Sequence, residues 1–261
     1  MSDHTQAPFS LSGQQALVIG GNGGIGLGIA TGLLNAGASV FVVGRNQEKL
    51  DSTEVGLEAL AVAGQKVQTY QADVSDFGEL RSVIAQALAH HGHLDILVNS
   101  QGINQLKAAE DFTVEEYSRI MQTNLQSVFF SCTEVGRHML GRGRGSIINI
   151  ASLASHRGWQ RAAVYAMSKA GVHSLTQTLA AEWAERGVRV NAISPGYFVT
   201  DLTRKTLVGE RSERALSRTP MRRFGDIDEL AGAAVYFASE ASRFVTGQTL
   251  AVDGGFLAAG M

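Results

Sequence analysis

Tyr165 and Lys169 stand four residues apart in Y-A-M-S-K, with Ser152 thirteen residues upstream. Four residues is just over one helical turn, so on a helix the phenol and the ammonium project from one face. A phenol near its reference pKa of about 10 is a poor base at neutral pH, and a cation held close favours the phenolate. The pair can therefore move a proton on or off an alcohol oxygen. Alone, Y-x-x-x-K is a weak signal, because two polar tips at that spacing often only share a solvated helix face.

A glycine-rich stretch, G-G-N-G-G-I-G-L-G from Gly20, gives the pair its context. Backbone can pass close to a phosphate only where side chains do not obstruct it. The start of a following helix then offers free N–H groups and a favourable dipole. Gly21, Gly23 and Gly26 match G-x-G-x-x-G. Gly20, Gly24 and Gly26 match G-x-x-x-G-x-G, and we prefer this register because it begins directly after an apolar run. The alternative is a flexible turn that only lets a helix pack closely.

The next apolar run ends at Gly44, followed by Arg45. An NAD-preferring site places a carboxylate there for the ribose 2′-OH, whereas arginine can pair with a 2′-phosphate. NADP is the expected cofactor and NAD the alternative; as a plain surface residue Arg45 would favour neither. Asp73 ends a third run and is placed either to accept from an adenine amino group or to cap the next helix with Ser75 and Asp76.

These residues need a scaffold, and the chain alternates strand-like and helix-like segments throughout. Seven apolar runs read as strands: Q-A-L-V-I-G, S-V-F-V-V-G, K-V-Q-T-Y-Q-A-D, L-D-I-L-V-N, G-S-I-I-N-I-A-S, V-R-V-N-A-I-S-P-G and G-Q-T-L-A-V-D-G-G. Continuous apolar runs predict strands covered on both faces. The expected fold is α/β: one Rossmann-type, doubly wound, mostly parallel seven-stranded sheet with helices on both faces. The 261 residues fit one domain, 1–261, combining dinucleotide binding and catalysis. Residues 200–219 are charged and inserted after a strand, and are expected to form a substrate lid.

Net charge is −2 without blocks of like charge, which argues against a nucleic-acid partner. The single cysteine, Cys132, allows no disulfide within the chain and reads as a core residue. No membrane-length apolar run or signal peptide is visible, so a cytoplasmic protein with no membrane partner is expected.

Over almost its full length the chain resembles the short-chain dehydrogenase/reductase family. Gly20, Gly24 and Gly26 match its glycine motif, and Asn99 and Gly102 match its N-N-A-G segment. Asn124, Ser152, Tyr165 and Lys169 match its catalytic tetrad in order and spacing. Pro195, Gly196 and Thr200 match its nicotinamide-side motif. Two positions depart: Ile19 replaces the usual threonine, and Asn99-Ser100-Gln101-Gly102 puts a bulky Gln101 where alanine is usual.

The resemblance implies an NAD(P)-dependent oxidoreductase that interconverts a secondary alcohol and a ketone by hydride transfer. In it Ser152 polarises the substrate oxygen and Tyr165 transfers the proton. Lys169 lowers the phenol's pKa and holds the nicotinamide ribose, and Asn124 positions a water. It also implies cofactor contacts at Asn22, Ile25, Asn46, Val74 and Phe198. The C-terminal third most resembles the family's sugar-acid and polyol dehydrogenases, through P-G-Y-F-V-T-D-L-T, T-P-M-R-R-F-G-D and V-T-G-Q-T-L-A-V-D-G-G. Broad carbonyl or 3-oxoacyl reduction is the alternative, and a non-catalytic dinucleotide sensor has no need of the tetrad.

His156, Arg157, Trp159 and Arg161, between Ser152 and Tyr165, are candidate substrate contacts or subunit contacts, and Lys107 is a weaker one. His90, His91 and His93 are clustered without a suitably spaced carboxylate, so no metal site is expected. Arg222 and Arg223 read as loop surface, and Met167 as helix packing. The helix carrying Tyr165 is apolar on more than one side, which predicts a second buried surface and a homotetramer.

Overall fold

The computed structural model describes residues 7–204 and 207–259. Its chain order is β1 (Gln15–Ile19), α1 (Gly24–Asn35), β2 (Ser39–Gly44), α2 (Gln47–Glu58), β3 (Val67–Gln71), α3 (Phe77–His91) and β4 (Ile96–Asn99). There follow α4 (Val114–Met121), α5 (Ser127–Arg142), β5 (Gly145–Ile150), α6 (Ala163–Trp183) and β6 (Val188–Pro195). Two short helices, α7 (Asp201–Arg204) and α8 (Gly209–Arg218), precede α9 (Asp228–Ala238) and β7 (Thr249–Val252).

All seven expected strands form one sheet in the order β3-β2-β1-β4-β5-β6-β7, and every neighbouring pair is parallel. The apolar runs conceal a period of two. Leu17, Phe41, Leu97 and Val190 face a core shared with α3, α5 and α6. Val18, Val42, Val98 and Ile193 face a second core with α1, α2 and α9. Burial on both faces explains why the runs read as unbroken.

Strand order reverses between β1 and β4, so the crossovers depart to opposite sides and leave a crevice at the carboxyl ends of the central strands. Gly20, Arg45, Asp73, Asn99, Ser152 and Pro195 sit at or just beyond such ends, while Asn124, Tyr165 and Lys169 come from helical segments. Residues 200–219 form α7 and α8 there; Lys205 and Thr206 of that segment lie outside the described residues. No described helix is long and apolar enough to cross a membrane. The three histidines have structural partners. The Tyr70 hydroxyl meets His90 at 3.2 Å and His91 at 2.8 Å, and His93 meets Asp95 at 3.2 Å.

Candidate active site

A cleft of about 350 Å³ runs along the carboxyl edge, from the glycine turn and Arg45 to Ser152 and Tyr165. At its floor, Gly20 and Gly24 hold φ of 76° and 49°, the left-handed region that glycine tolerates. A Cβ on Gly26 would lie 2.1 Å from the Gly20 carbonyl oxygen, whereas one on Gly23 meets nothing within 4 Å. Backbone geometry therefore requires the glycines of the preferred register. The turn leads into α1, whose start has no side-chain cap. Those first N–H groups are available to an anion.

The walls come from the next two strands. Asn22 folds so closely over Gly44 that a Cβ there would meet its side-chain amide at 2.4 Å. Arg45 lines the cleft, and so does Lys49, one turn into α2. Asn46 does not: its Oδ1 accepts from the Lys49 N–H at 2.8 Å and caps α2. Asp73 lines the wall with Val74, and its carboxylate accepts from the Ser75 N–H and hydroxyl at 3.0 and 2.7 Å. Burial acts to raise the Asp73 pKa; those bonds and the Arg45 charge outweigh it and hold the carboxyl below its ordinary value. Asp76, not Asp73, caps α3.

β4 ends in Asn99, whose side chain turns inward. It donates to Asn149 Oδ1 at 2.9 Å and accepts from the Ser131 hydroxyl at 2.6 Å. Ser100, Gln101 and Gly102 line the cleft instead. Gln101 extends this inner network by donating to the Ser127 hydroxyl at 3.1 Å. Gly102 leaves room for two neighbours, since a Cβ would approach Lys169 Nζ at 3.4 Å and Asn124 Oδ1 at 3.5 Å.

Asn124 lies in a widened, π-helical turn, Gln122–Gln126, between α4 and α5. Such turns interrupt α-helices frequently at functional sites. Its side chain is fully engaged: Oδ1 accepts from the Ile103 N–H at 2.8 Å, and Nδ2 donates to the Ile103 carbonyl at 2.9 Å and to Ser168 Oγ at 3.1 Å.

Ser152 follows β5, and Tyr165 and Lys169 share one face of α6 and line the cleft. The Tyr165 phenol is influenced by the neighbouring Ser152 side chain, which favours its charged form. Lys169 is buried, and Nζ donates to the Ile150 carbonyl at 2.7 Å. Burial alone pulls its pKa down to about 8. Burial raises the Tyr165 pKa above its ordinary value, and the neighbouring Ser152 side chain acts against it. Both shifts favour the uncharged form of each group, and both groups line the cleft.

The far wall is Pro195–Gly196, Phe198, Thr200 and Thr203, at and beyond the end of β6. Thr200 reaches across to the glycine turn, where its Cβ would stand 3.3 Å from a Cβ on Gly24.

None of His156, Arg157, Trp159 and Arg161 lines this cleft. His156 Nε2 bonds Ser194 Oγ at 2.9 Å, and Arg157 Nη2 donates to the Leu257 carbonyl at 2.6 Å. Trp159 packs near Tyr197 and Phe256, with ring centroids 6.1 and 5.9 Å away. Arg161 holds φ of 62°, and its carbonyl accepts from the Lys107 N–H at 2.7 Å. The Lys107 ammonium pairs with Glu116 at 2.8 Å. Met167, expected to pack, is 49% exposed. Sequence reasoning missed Lys49 and Ile103 on the cleft wall. For Lys49 the signal was present, four residues after Arg45 at the start of a helix.

The family described as enoyl-(acyl carrier protein) reductase matches residues 20–257. A gluconate 5-dehydrogenase of Gluconobacter oxydans (strain 621H) is 42% identical over 248 residues, covering 95% of this chain and 96% of that protein. A 2-dehydro-3-deoxy-D-gluconate 5-dehydrogenase of Escherichia coli (strain K12) is 39% identical over 252 residues, 96% of this chain and 98% of its own length. Among solved structures, a gluconate 5-dehydrogenase from Burkholderia cenocepacia J2315 in complex with NADP and tartrate superposes with a TM-score of 0.91 at 39% identity. That match covers 96% of this chain and 98% of the other. The chain belongs to the short-chain dehydrogenase/reductase family.

Proposed function

We propose that this member of the family oxidises gluconate, or a closely related sugar acid, to the corresponding keto acid and reduces it back, with NADP as the preferred cofactor. The observation that carries the chemistry is that Ser152, Tyr165 and buried Lys169 line one cleft together with the glycine turn. The sugar-acid substrate rests on the relatives, since the charged groups between Ser152 and Tyr165 are engaged elsewhere.

The residues fit a dinucleotide. Gly20, Gly24 and Gly26 leave backbone exposed where a pyrophosphate would lie, and the start of α1 supplies N–H donors. Arg45 and Lys49 present two cations for a 2′-phosphate. Asp73 would accept from the adenine amino group, and Pro195, Gly196, Phe198 and Thr200 would hold the nicotinamide end. When bound, the nicotinamide accepts or delivers the hydride.

The chain's own residues handle the oxygen and its proton. Ser152 hydrogen-bonds the substrate oxygen and fixes it beside Tyr165. In reduction the phenol donates its proton to that oxygen, and in oxidation the phenolate takes the alcohol proton. Lys169 stabilises the phenolate when it forms and restores its proton. Asn124, locked to Ile103, keeps the segment around Gly102 and Lys169 in place. We further infer that α7 and α8 act as a lid over the substrate.

Val114, Tyr117 and Phe129 are exposed on α4 and α5, and Met167, Phe244 and Leu250 are exposed elsewhere. Separate apolar surfaces of this kind support a homotetramer.

A cofactor-linked absorbance assay tests the reading with gluconate, 2-dehydro-3-deoxy-gluconate, a polyol and a 3-oxoacyl thioester, each with both cofactors. The expected result is the highest kcat/KM on a sugar acid with NADP(H). Preference for the thioester would make the chain an acyl reductase instead.

A further inference from the structure

The geometry points to His156 as a positioning residue that holds Ser152 in place through Ser194. The inference rests on the proposed role of Ser152 at the substrate oxygen. Ser152 leaves β5 in an extended conformation, and its hydroxyl oxygen accepts from the Ala154 N–H at 3.1 Å. Its carbonyl accepts from the hydroxyl of Ser194, a fully buried residue of β6, at 3.2 Å. His156 Nε2 lies 2.9 Å from the same Ser194 oxygen.

Counting protons fixes the direction of this chain. A serine hydroxyl has one hydrogen, and a carbonyl can only accept. Ser194 gives its hydrogen to Ser152 and must therefore accept from His156, which requires the tautomer carrying hydrogen on Nε2. Burial and the neighbouring His173 hold the His156 pKa below its ordinary value, against the opposing charge of Asp253. A neutral ring has one N–H, and the chain defines where it is. The ring is also held from behind. It stands edge-on to His173, with centroids 5.3 Å apart, and His173 Nδ1 meets Thr249 Oγ1 of β7 at 2.9 Å.

His173 belongs to α6, the helix that carries Tyr165 and Lys169. The chain therefore ties the strand end bearing Ser152 to the helix bearing its partners. Positioning of this kind matters because displacing a reacting group by about 1 Å can cost roughly a hundredfold in rate. His156 is exposed, so its loss would leave Ser194 to water, a donor of no fixed direction.

The test compares His156→Ala, His156→Gln, Ser152→Ala and the double variant His156→Ala/Ser152→Ala, with Tyr165→Phe alongside. His156→Ala is expected to lower kcat about tenfold while KM and the NADP Kd stay within about twofold. Glutamine can present an N–H near the position of Nε2, so His156→Gln is expected to recover most of the rate. In the Ser152→Ala background, His156→Ala is expected to cause no further loss, because the group it positions is gone. Unchanged kcat in His156→Ala overturns the inference. So does an equal loss in both backgrounds, a parallel loss of cofactor affinity, or failure of glutamine to recover rate. Turnover retained in Tyr165→Phe would instead sink the proposed function, and this inference with it. Turnover lost there but kept in His156→Ala would sink this inference alone.

Discussion

The two ends of β4 meet opposite surroundings. At the amino end, buried Asp95 accepts from the Gln15 N–H at 3.0 Å, Arg142 at 3.1 Å and Arg144 at 3.0 Å, with His93 at 3.2 Å. At the carboxyl end, beyond Asn99, the buried ammonium of Lys169 meets the Ile150 carbonyl and, among the described residues, no carboxylate. The closed end pairs its charge and joins β1, β4 and α5. The open end keeps a charged group out of water with little compensation. Holding the Lys169 pKa near 8, against an ordinary 10.5, corresponds to about 3 kcal/mol of destabilisation at neutral pH. Stability is built at one end and given up for chemistry at the other.

That contrast breaks most visibly at the open end. Tyr165→Phe keeps the ring and removes the transferable proton. Turnover is expected to fall by about two to four orders of magnitude. NADP Kd by fluorescence titration and Tm by calorimetry should stay close to wild type. A comparable fall in Tm would make Tyr165 a packing residue.

The reverse pattern is expected at the closed end. Asp95→Ala removes the acceptor of Arg144 and the Gln15 N–H and leaves Arg142 only the Leu94 carbonyl, and both arginines retain some access to water. A loss of about 2–4 kcal/mol in denaturant unfolding is expected, with kcat per folded molecule unchanged. Lost turnover without lost stability would show that the two ends are not separable.

Arg45→Ala sharpens the open end further. A charged hydrogen-bonded pair contributes about 1.5–3 kcal/mol, so NADP should weaken roughly ten- to a hundredfold and NAD hardly at all. Lys49→Ala should act in the same direction. Equal weakening of both cofactors would make these cations bystanders.

The smallest effect runs upward. Lys169→Met removes the buried charge but leaves the Ile150 carbonyl without that donor, so a gain of about 1–2 kcal/mol is expected together with lost activity. The sign in pH is fixed. Above about 8 the folded lysine releases its proton while the unfolded one keeps it to above 10, so wild-type stability rises over that window. The advantage of the variant should shrink accordingly between pH 7 and pH 10. A gap that widens instead would contradict the burial account.

The strands and the tetrad were legible because their signals are local. Apolar runs encode two-faced burial, and Tyr165, Lys169 and Ser152 declare themselves by type and spacing. The loop after Ser152 was not legible in the same way. The partner of His156 lies 38 residues away and that of Arg157 lies 100 residues away, so nothing nearby indicates where those side chains turn. The rise in the phenol's pKa escaped for a related reason. Spacing announces a neighbouring cation, but the burial that raises the phenol's pKa belongs to the assembled cleft. The widened turn at Asn124 leaves no trace either, since Q-T-N-L-Q has the composition of an ordinary helix.

The strand order also bears on how the molecule is made. β1 pairs on one side with β2, close behind it in the chain, and on the other with β4, about eighty residues further on. During synthesis β3, β2 and β1 can associate before β4 exists. At ribosomal rates of roughly 5–20 residues per second, the unpaired side of β1 then waits on the order of seconds for its neighbour. That side presents the backbone of A-L-V-I, an apolar edge able to pair with any passing strand. The middle of the finished sheet is therefore the most adhesive part of the nascent one. Co-translational chaperone capture should peak while β4 is emerging and fade once it has docked.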